Sequence, residues 1–203
     1  MKIFSAIILI AAVSLFNACS SGGSGKKVIV MSSGKIKVDP NDPKTINFEP
    51  GGQHNELELL LGEGDKTVVV KSGGTDKSYD IPESGLYLLN IKSDTMIGNQ
   101  VNFAATDRAA HITSDQLQHI IDSTQDLMRG VNVSDEKKTF FLVPGSIKKI
   151  TGNLNAQLLS PFKLIPYKVD VDEKGNPPEI YKFFTNSQKR EALDELLKRL
   201  QKS

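Results

Sequence analysis

Cysteine is nearly absent from this sequence: its 203 residues include one, Cys19. A lone cysteine cannot form an intrachain disulfide, so the folded part must rest on an ordinary hydrophobic core. Tryptophan is absent and only four tyrosines are present, which disfavours the aromatic platforms on which many proteins stack sugars. The 25 basic and 24 acidic residues leave no excess of either sign. Nucleic-acid-binding proteins usually carry a basic face, so no nucleic-acid partner is expected.

One long apolar run stands out, at the start of the chain. Met1 and Lys2 precede a mostly apolar stretch from Ile3 to Phe16. A positive charge followed by such a run is typical of a secretory signal peptide. The run is too short for a membrane-spanning helix, which needs roughly 17–25 residues. The pattern therefore predicts export from the cytoplasm.

The segment Leu15-Phe16-Asn17-Ala18-Cys19 closes this run and resembles the lipobox of bacterial lipoproteins. The resemblance implies a diacylglyceryl group on the Cys19 thiol, fatty acylation of the palmitate type, and removal of residues 1–18. Ser20, rather than Asp, follows the cysteine, which in enterobacterial-type cells implies transport to the outer membrane. We therefore expect a protein bound to the membrane through the lipid on Cys19, facing the periplasm rather than the cell surface.

Residues 19–27 are predicted to be the lipidated cysteine and a flexible tether of serine, glycine and lysine. Eight such residues have a root-mean-square reach of roughly 15 Å. The folded part is therefore expected to lie close to the membrane surface.

Residues 28–103 have the pattern of a β-rich lobe. Turn residues, including Ser33-Gly34 and Pro50-Gly51-Gly52, separate short runs rich in β-branched and aliphatic side chains. The runs are Val28–Met31, Lys35–Val38, Thr45–Glu49, Glu56–Leu61, Thr67–Lys71, Tyr79–Ile81, Leu86–Lys92 and Gln100–Phe103. This spacing predicts an N-terminal antiparallel β-sandwich or barrel-like lobe without a long helix.

Residues 104–203 are predicted to form a mixed lobe, which makes the fold class α+β. Helical periodicity indicates amphipathic helices near 114–129 and 187–201. We expect the first to close one end of the sheet. The second has a leucine stripe, which we expect to be docked on a preceding hairpin rather than exposed as a handle for another protein. The stripe consists of Leu193, Leu196, Leu197 and Leu200.

Strands are also predicted in this second lobe. Thr139–Val143 and Ile147–Thr151 are separated by a Pro-Gly turn. The docking hairpin is predicted to pair Phe162–Val171 with Glu179–Phe184.

A polar stretch after Gly51-Gly52 is the candidate binding loop. Gln53, His54, Asn55 and Glu56 offer amide, imidazole and carboxylate groups on a backbone that glycine makes adaptable. The alternative interpretation is a plain exposed turn.

Metal sites have weaker support. His111, Asp115, His119 and Asp122 have spacings that could hold a zinc ion, but all four can equally lie on a solvated helix face. Asp170–Gly175 begins like a calcium loop, yet Lys174 and Tyr181 occupy positions that need oxygen ligands. Both that stretch and Asp39–Asp42 are better interpreted as turns. No catalytic residue, resident metal or cofactor is expected.

The sequence leaves three functional hypotheses. The preferred one is a non-catalytic binding or assembly component of the cell envelope, with another envelope protein or polymer as partner. The second is a glycan-binding lipoprotein, although Tyr87 and Tyr181 are expected to belong to the core. The third is a small metal-dependent envelope hydrolase built on the residues around His119.

Overall fold

The structure is a computed structural model that describes residues 25–103 and 113–201. These ranges form strands in two sheets, together with two helices, which fits the α+β class. The strands of the first sheet are β1 (Lys26–Asp39), β2 (Asp42–Leu61), β3 (Thr67–Ser72), β4 (Thr75–Asp80), β5 (Gly85–Ile91) and β8 (Ser146–Thr151). Those of the second are β6 (Met96–Gln100), β7 (Thr139–Leu142), β9 (Gln157–Leu159) and β10 (Ile180–Thr185). The helices are α1 (Ser114–Met128) and α2 (Asn186–Leu200).

The first sheet curves into a nearly closed barrel with the order β4-β3-β2-β1-β5-β8. Its two end strands, β4 and β8, approach each other. Lys77 Nζ on β4 donates a hydrogen bond to the Gly145 carbonyl, just before β8, over 2.7 Å. The interior is one apolar cluster drawn from five of the strands, including Val30, Ile46 and Leu89. Curvature thus buries one face of the sheet against itself.

Strands β1 and β5 are buried on both faces. Along β1, Val28 and Val30 point into the barrel, whereas Ile29 and Met31 belong to a second apolar cluster outside it. Successive side chains of a strand point to opposite faces, so an unbroken apolar run fits a strand covered on both sides.

The second sheet, β7-β6-β10-β9, supplies that outer cover. Phe140 packs edge-on against Tyr181, with ring centroids 5.6 Å apart, and Phe183 lies beside them. On β6, Gly98 faces the Phe183 ring so closely that a Cβ atom would overlap it. Packing of this ring therefore requires glycine at position 98.

The prediction of an antiparallel lobe is wrong for two strand pairs. Strand β1 runs parallel to β5, and β2 runs parallel to β3. The predicted boundary between the two lobes, at Phe103, does not separate the two sheets. Strand β6, before this boundary, belongs to the second sheet, and β8, after it, belongs to the first. Apolar alternation indicates which face of a strand is buried, but it does not specify the neighbouring strand.

No helix interrupts residues 28–103, as predicted, but the strand boundaries differ. The first four predicted runs merge into the two long strands β1 and β2, which pair along their length. Gly34, with φ of +139°, and the excursion Gly51–Gln53 form a bulge in this pair. The glycines that we interpreted as turns therefore bend continuous strands.

Three other strand boundaries differ slightly from the predicted ones. Strand β1 already begins at Lys26, so the last two residues of the predicted tether are part of the sheet. Strand β4 begins at Thr75, earlier than predicted, and β6 ends at Gln100, where we expected a strand to begin.

The predicted helices are present, but they pack differently. Thr113 caps α1 with a capping box to Gln116, and the helix packs against α2 rather than closing a sheet end. Ile121 is its buried residue. On α2, Leu193 is buried, while Leu196 and Leu197 are half-buried. The helices complete their apolar faces on each other, and α2 also touches β10.

The predicted hairpin before α2 is wrong. Residues 160–179 form no strand; they connect β9 to β10, which are parallel. Parallel neighbours need a crossover, so the chain must return along the sheet before β10 begins. We call residues 160–179 the β9–β10 connection. Within the described ranges, no helix has the length and apolarity needed to cross a membrane.

Candidate functional site

The four residues of the candidate binding loop lie within β2 and do not form one exposed loop. Gln53 is exposed at the bulge, whereas His54, Asn55 and Glu56 are partly covered. The Asn55 side-chain amide donates to the Gly34 carbonyl over 2.9 Å and holds the bulge in place. The prediction of an exposed loop is therefore corrected, because strand pairing with β1 continues through these residues.

His54 and Glu56 join a chain of polar contacts that reaches the β9–β10 connection. Lys92 Nζ lies 3.0 Å from His54 Nδ1, and His54 Nε2 lies 2.9 Å from Glu56 Oε1. An ammonium group only donates, so Nδ1 accepts and we assign the ring proton to Nε2, which donates to Glu56. The other carboxylate oxygen accepts from Lys163 Nζ at 2.6 Å.

The Glu56 carboxylate is strongly held in its charged form. Partial burial raises its pKa, but hydrogen bonds from Lys163 and His54, and the positive charge of Lys163, lower it more. The net effect lowers the pKa of Glu56 from 4.5 to about 2. At neutral pH this carboxylate is a fixed anion engaged by its neighbours.

Lys182 holds the same segment from the second sheet. It lies on β10 with 5% of its surface exposed, and its ammonium donates to the backbone carbonyls of Ser160, Pro161 and Lys163. Burial lowers the pKa of Lys182, while the negative charge of Glu56 opposes that shift. We call residues Ser160–Lys163 the base of the connection.

The residues after the base expose large apolar side chains. We call Leu164–Tyr167 the tip; Leu164 is 89% exposed, Tyr167 is 80% exposed, and Ile165 is also exposed. Phe162 in the base rests one side of its ring on His54, with centroids 4.9 Å apart, yet it is 65% exposed. Single exposed apolar residues are common, but several together mark a contact surface.

A cleft of about 430 Å³ lies beside the base, between the β1–β2 pair and β9. Lys27 and Glu58, an ion pair 3.3 Å apart, line it together with Glu56 and Lys163. The lining mixes charges of both signs with the apolar side chain of Ile29. The cleft is therefore not selective for a ligand of one charge.

The candidate zinc residues on α1, Asp115, His119 and Asp122, are solvent-exposed. Asp122 accepts from the Gln118 side chain over 2.8 Å, and the backbone carbonyl of His119 accepts from Ser123 Oγ over 2.7 Å. Asp115 lies in the first turn of the helix, and His111 lies outside the described residues. Among the described residues, no group of three or more histidine, cysteine or acidic side chains could hold a metal.

Both stretches considered as calcium loops are turns stabilised by aspartate. Asp172 Oδ1 accepts from the backbone amides of Lys174 and Asn176 over 2.9 and 2.8 Å. These hydrogen bonds lower the pKa of Asp172. Asp39 and Asp42 likewise accept from nearby backbone amides in the turn between β1 and β2. The preferred interpretation, an ordinary turn, is therefore confirmed for both stretches.

The tyrosines divide as expected between core and surface. Tyr79, Tyr87 and Tyr181 are buried, and the Tyr87 hydroxyl donates to the Glu83 carbonyl over 2.8 Å. Tyr167, at the tip, is the exposed one. A stacked sugar is thus compatible with the tip but not with the core tyrosines.

Sequence reasoning found His54 and Glu56 but missed Lys92, Lys182 and the tip. Pro161 and Pro166 were the available signal, since two prolines within six residues argue against the predicted strand. In comparisons with known proteins, no family model, curated protein or solved structure matches this chain.

Proposed function

We propose that this chain is a lipid-anchored, non-catalytic component of the bacterial cell envelope that binds or assembles with another envelope protein or polymer. The observation that carries the proposal is the β9–β10 connection: a base fixed by polar contacts, including those of the buried Lys182, supports a tip of exposed apolar side chains. A surface built in this way is suited to contact rather than to chemistry.

The ionisable groups near this surface support a non-catalytic role. Lys92 donates to His54, Glu56 accepts from His54 and Lys163, and Lys182 donates to three carbonyls. A general acid or base must have a proton or lone pair directed at a substrate. Here these groups are used to hold the protein's own segment.

The membrane attachment is assigned to the lipid on Cys19, and the location to the periplasmic face of the outer membrane. These assignments rest on the apolar run that ends at Cys19 and on Ser20 after it. The anchor places the folded residues near the bilayer and limits the partners to components of the envelope.

The anchor is tested with Cys19→Ala in the producing bacterium. We expect the wild-type chain to carry lipid at its mature N-terminus and to partition into detergent. The variant should remain an unlipidated precursor, or be cut elsewhere, and should lose the lipid mass. A variant that still partitions into detergent with an unchanged mature N-terminus contradicts the anchor.

The binding role is tested by crosslinking in cells, followed by identification of the crosslinked components. A specific adduct should form with the wild-type chain and weaken in a Leu164→Ser, Tyr167→Ser double variant. Leu60→Ser is the matched control, since Leu60 is an exposed leucine on β2 outside the connection. Equal adduct yields in all variants would remove the tip from the binding surface.

Glycan recognition is the second candidate, and the exposure of Tyr167 and Phe162 favours it. Aromatic rings presented to solvent are the usual stacking surface for sugars. Glycan binding that is lost in Tyr167→Ala and kept in Tyr79→Phe, a change in the core, would support this alternative.

A further inference from the structure

We infer that the tip of the β9–β10 connection, Leu164–Tyr167, inserts into the interface of the bilayer that carries the Cys19 lipid and forms a second membrane contact. The inference rests on the proposed lipid anchor. It identifies lipid as what the exposed tip contacts. This contact orients the remaining surface towards the envelope partner, so that loss of the tip also weakens the adduct.

The side-chain types of the connection match a membrane interface. Leucine and isoleucine at the tip are apolar, and Phe162 and Tyr167 flank them with aromatic rings. Aromatic residues concentrate at the level of the lipid headgroups, and lysines beside an apolar patch extend to the phosphates. Lys168 directly follows the tip and is exposed, so it can contact the headgroups.

The base prepares the tip for insertion. Lys182 holds three backbone carbonyls of the base, and Lys163 is paired with Glu56. These contacts fix the backbone immediately before Leu164. A segment that is already ordered loses less conformational freedom on binding, which favours association.

The base of the connection also lines a cleft together with residues at the start of β1. Lys27, the second residue of β1, lines the same cleft as Lys163 of the base. Lys26 follows Cys19 by seven residues, which span at most about 25 Å when extended. The cleft therefore extends from the start of β1 to the base along one face of the β1–β2 pair, and the anchor keeps that face near lipid.

The absence of tryptophan provides a direct test, because any tryptophan introduced is a single reporter. The full-length chain is purified from membranes with Leu164→Trp and reconstituted into phosphatidylethanolamine–phosphatidylglycerol vesicles that contain brominated lipid. Val143→Trp is the matched control. Val143 is 49% exposed and follows β7, at the edge of the second sheet opposite to β9.

We expect blue-shifted emission and several-fold stronger quenching for the Leu164 reporter than for the Val143 reporter. Equal quenching of both, or emission typical of water at position 164, would overturn the inference. Circular dichroism of each variant checks that the fold is retained, which the exposure of both sites favours.

A second variant measures the apolar contribution. With Ile165→Trp as reporter, adding Leu164→Ser should lower the ratio of inserted to free tip by about tenfold or more. An unchanged ratio would overturn the inference.

The mass of the N-terminal peptide separates this inference from the proposed function. A lipidated protein whose tryptophan at position 164 is not quenched would contradict the bilayer contact but support the lipid anchor. An unlipidated protein whose tryptophan at position 164 is still quenched by brominated lipid would contradict the lipid anchor but support the bilayer contact. A protein adduct at position 164, formed without quenching, would assign the tip to a protein partner instead.

Discussion

The base of the β9–β10 connection is held by Lys182 and Glu56, two charged side chains with little exposure, whereas the neighbouring tip exposes large apolar ones. This arrangement reverses the usual distribution, in which charges face water and apolar groups are buried. The base has no strand partner, so its carbonyls need other donors, and one ammonium can supply three. The comparison teaches that buried charge here maintains a backbone shape, and that shape keeps the apolar residues outside.

The strongest test of the base is Lys182→Met, which keeps the side-chain length but removes the ammonium. We expect the free energy of unfolding to fall by about 3 kcal/mol, because each buried carbonyl left without a donor costs about 1–3 kcal/mol and lost desolvation offsets part of this. Urea denaturation measures it. Lys189→Met is the control, since Lys189 contacts the Phe184 ring from α2. An equal loss in both variants would contradict the special role of Lys182.

Leucine substitutions compare burial directly, because the same residue type occurs in both environments. Leu193 on α2 is 7% exposed, so Leu193→Ala should cost about 2–3 kcal/mol through lost burial and the resulting cavity. Half-buried Leu196 should cost less when changed to alanine. Thermal unfolding of both variants gives the order, and a larger loss at Leu196 would place the helix contact elsewhere.

Glu56→Gln tests the polar contact between β2 and the base. At neutral pH we expect a loss of about 1.5 kcal/mol, since the hydrogen bonds to charged groups weaken. The folded pKa is about 2 and the reference value is 4.5, so the stabilisation by the carboxylate is present above pH 4.5 and declines as pH falls towards 2. The wild-type chain should lose more stability than the variant over that window.

Glu58→Gln is the matched control for this pH series. Its ion pair with Lys27 is partly exposed and should contribute at most about 1 kcal/mol. Parallel pH profiles for wild type and Glu56→Gln would show that Glu56 is not held as its contacts indicate.

The smallest effect on stability is expected at the tip. Leu164→Ala should change the free energy of unfolding by less than about 0.5 kcal/mol, because an exposed side chain loses few contacts. The same substitution should weaken binding to vesicles. A clear loss of stability in calorimetry would mean that the tip packs against the protein, and the contrast between base and tip would fail.

Helices, helix caps and most strands could be predicted from the sequence, because they depend mainly on residues that are neighbours along the chain. The spacing of Leu117, Ile121 and Met128 predicts α1, and Thr113 caps it as expected. Alternating and continuous apolar runs likewise predict β-strands through Ile91. The strand directions did not follow, because parallel pairing of β1 with β5 depends on contacts between residues far apart in the chain.

Only part of the candidate site could be predicted from the sequence, for the same reason. His54 and Glu56 stand out in sequence as polar residues after two glycines. Their partners, Lys92 and Lys163, lie 38 and 107 residues further along the chain. Lysines are common and carry no local signature, so nothing near them indicates a partner. The pattern of the exposed tip predicts a strand because its apolar content outweighs its one proline, Pro166.

By itself the sequence determined the two helices and most of the strands, the prediction of a lipid anchor at Cys19 and the lack of an intrachain disulfide, since each depends on neighbouring residues or on composition. Only the tertiary structure decided which strands pair, which lysines are buried and which apolar residues stay outside. Burial is set by what packs against a residue, and for Leu164 and Leu193, chemically identical side chains, that neighbourhood alone makes one exposed and the other part of the core.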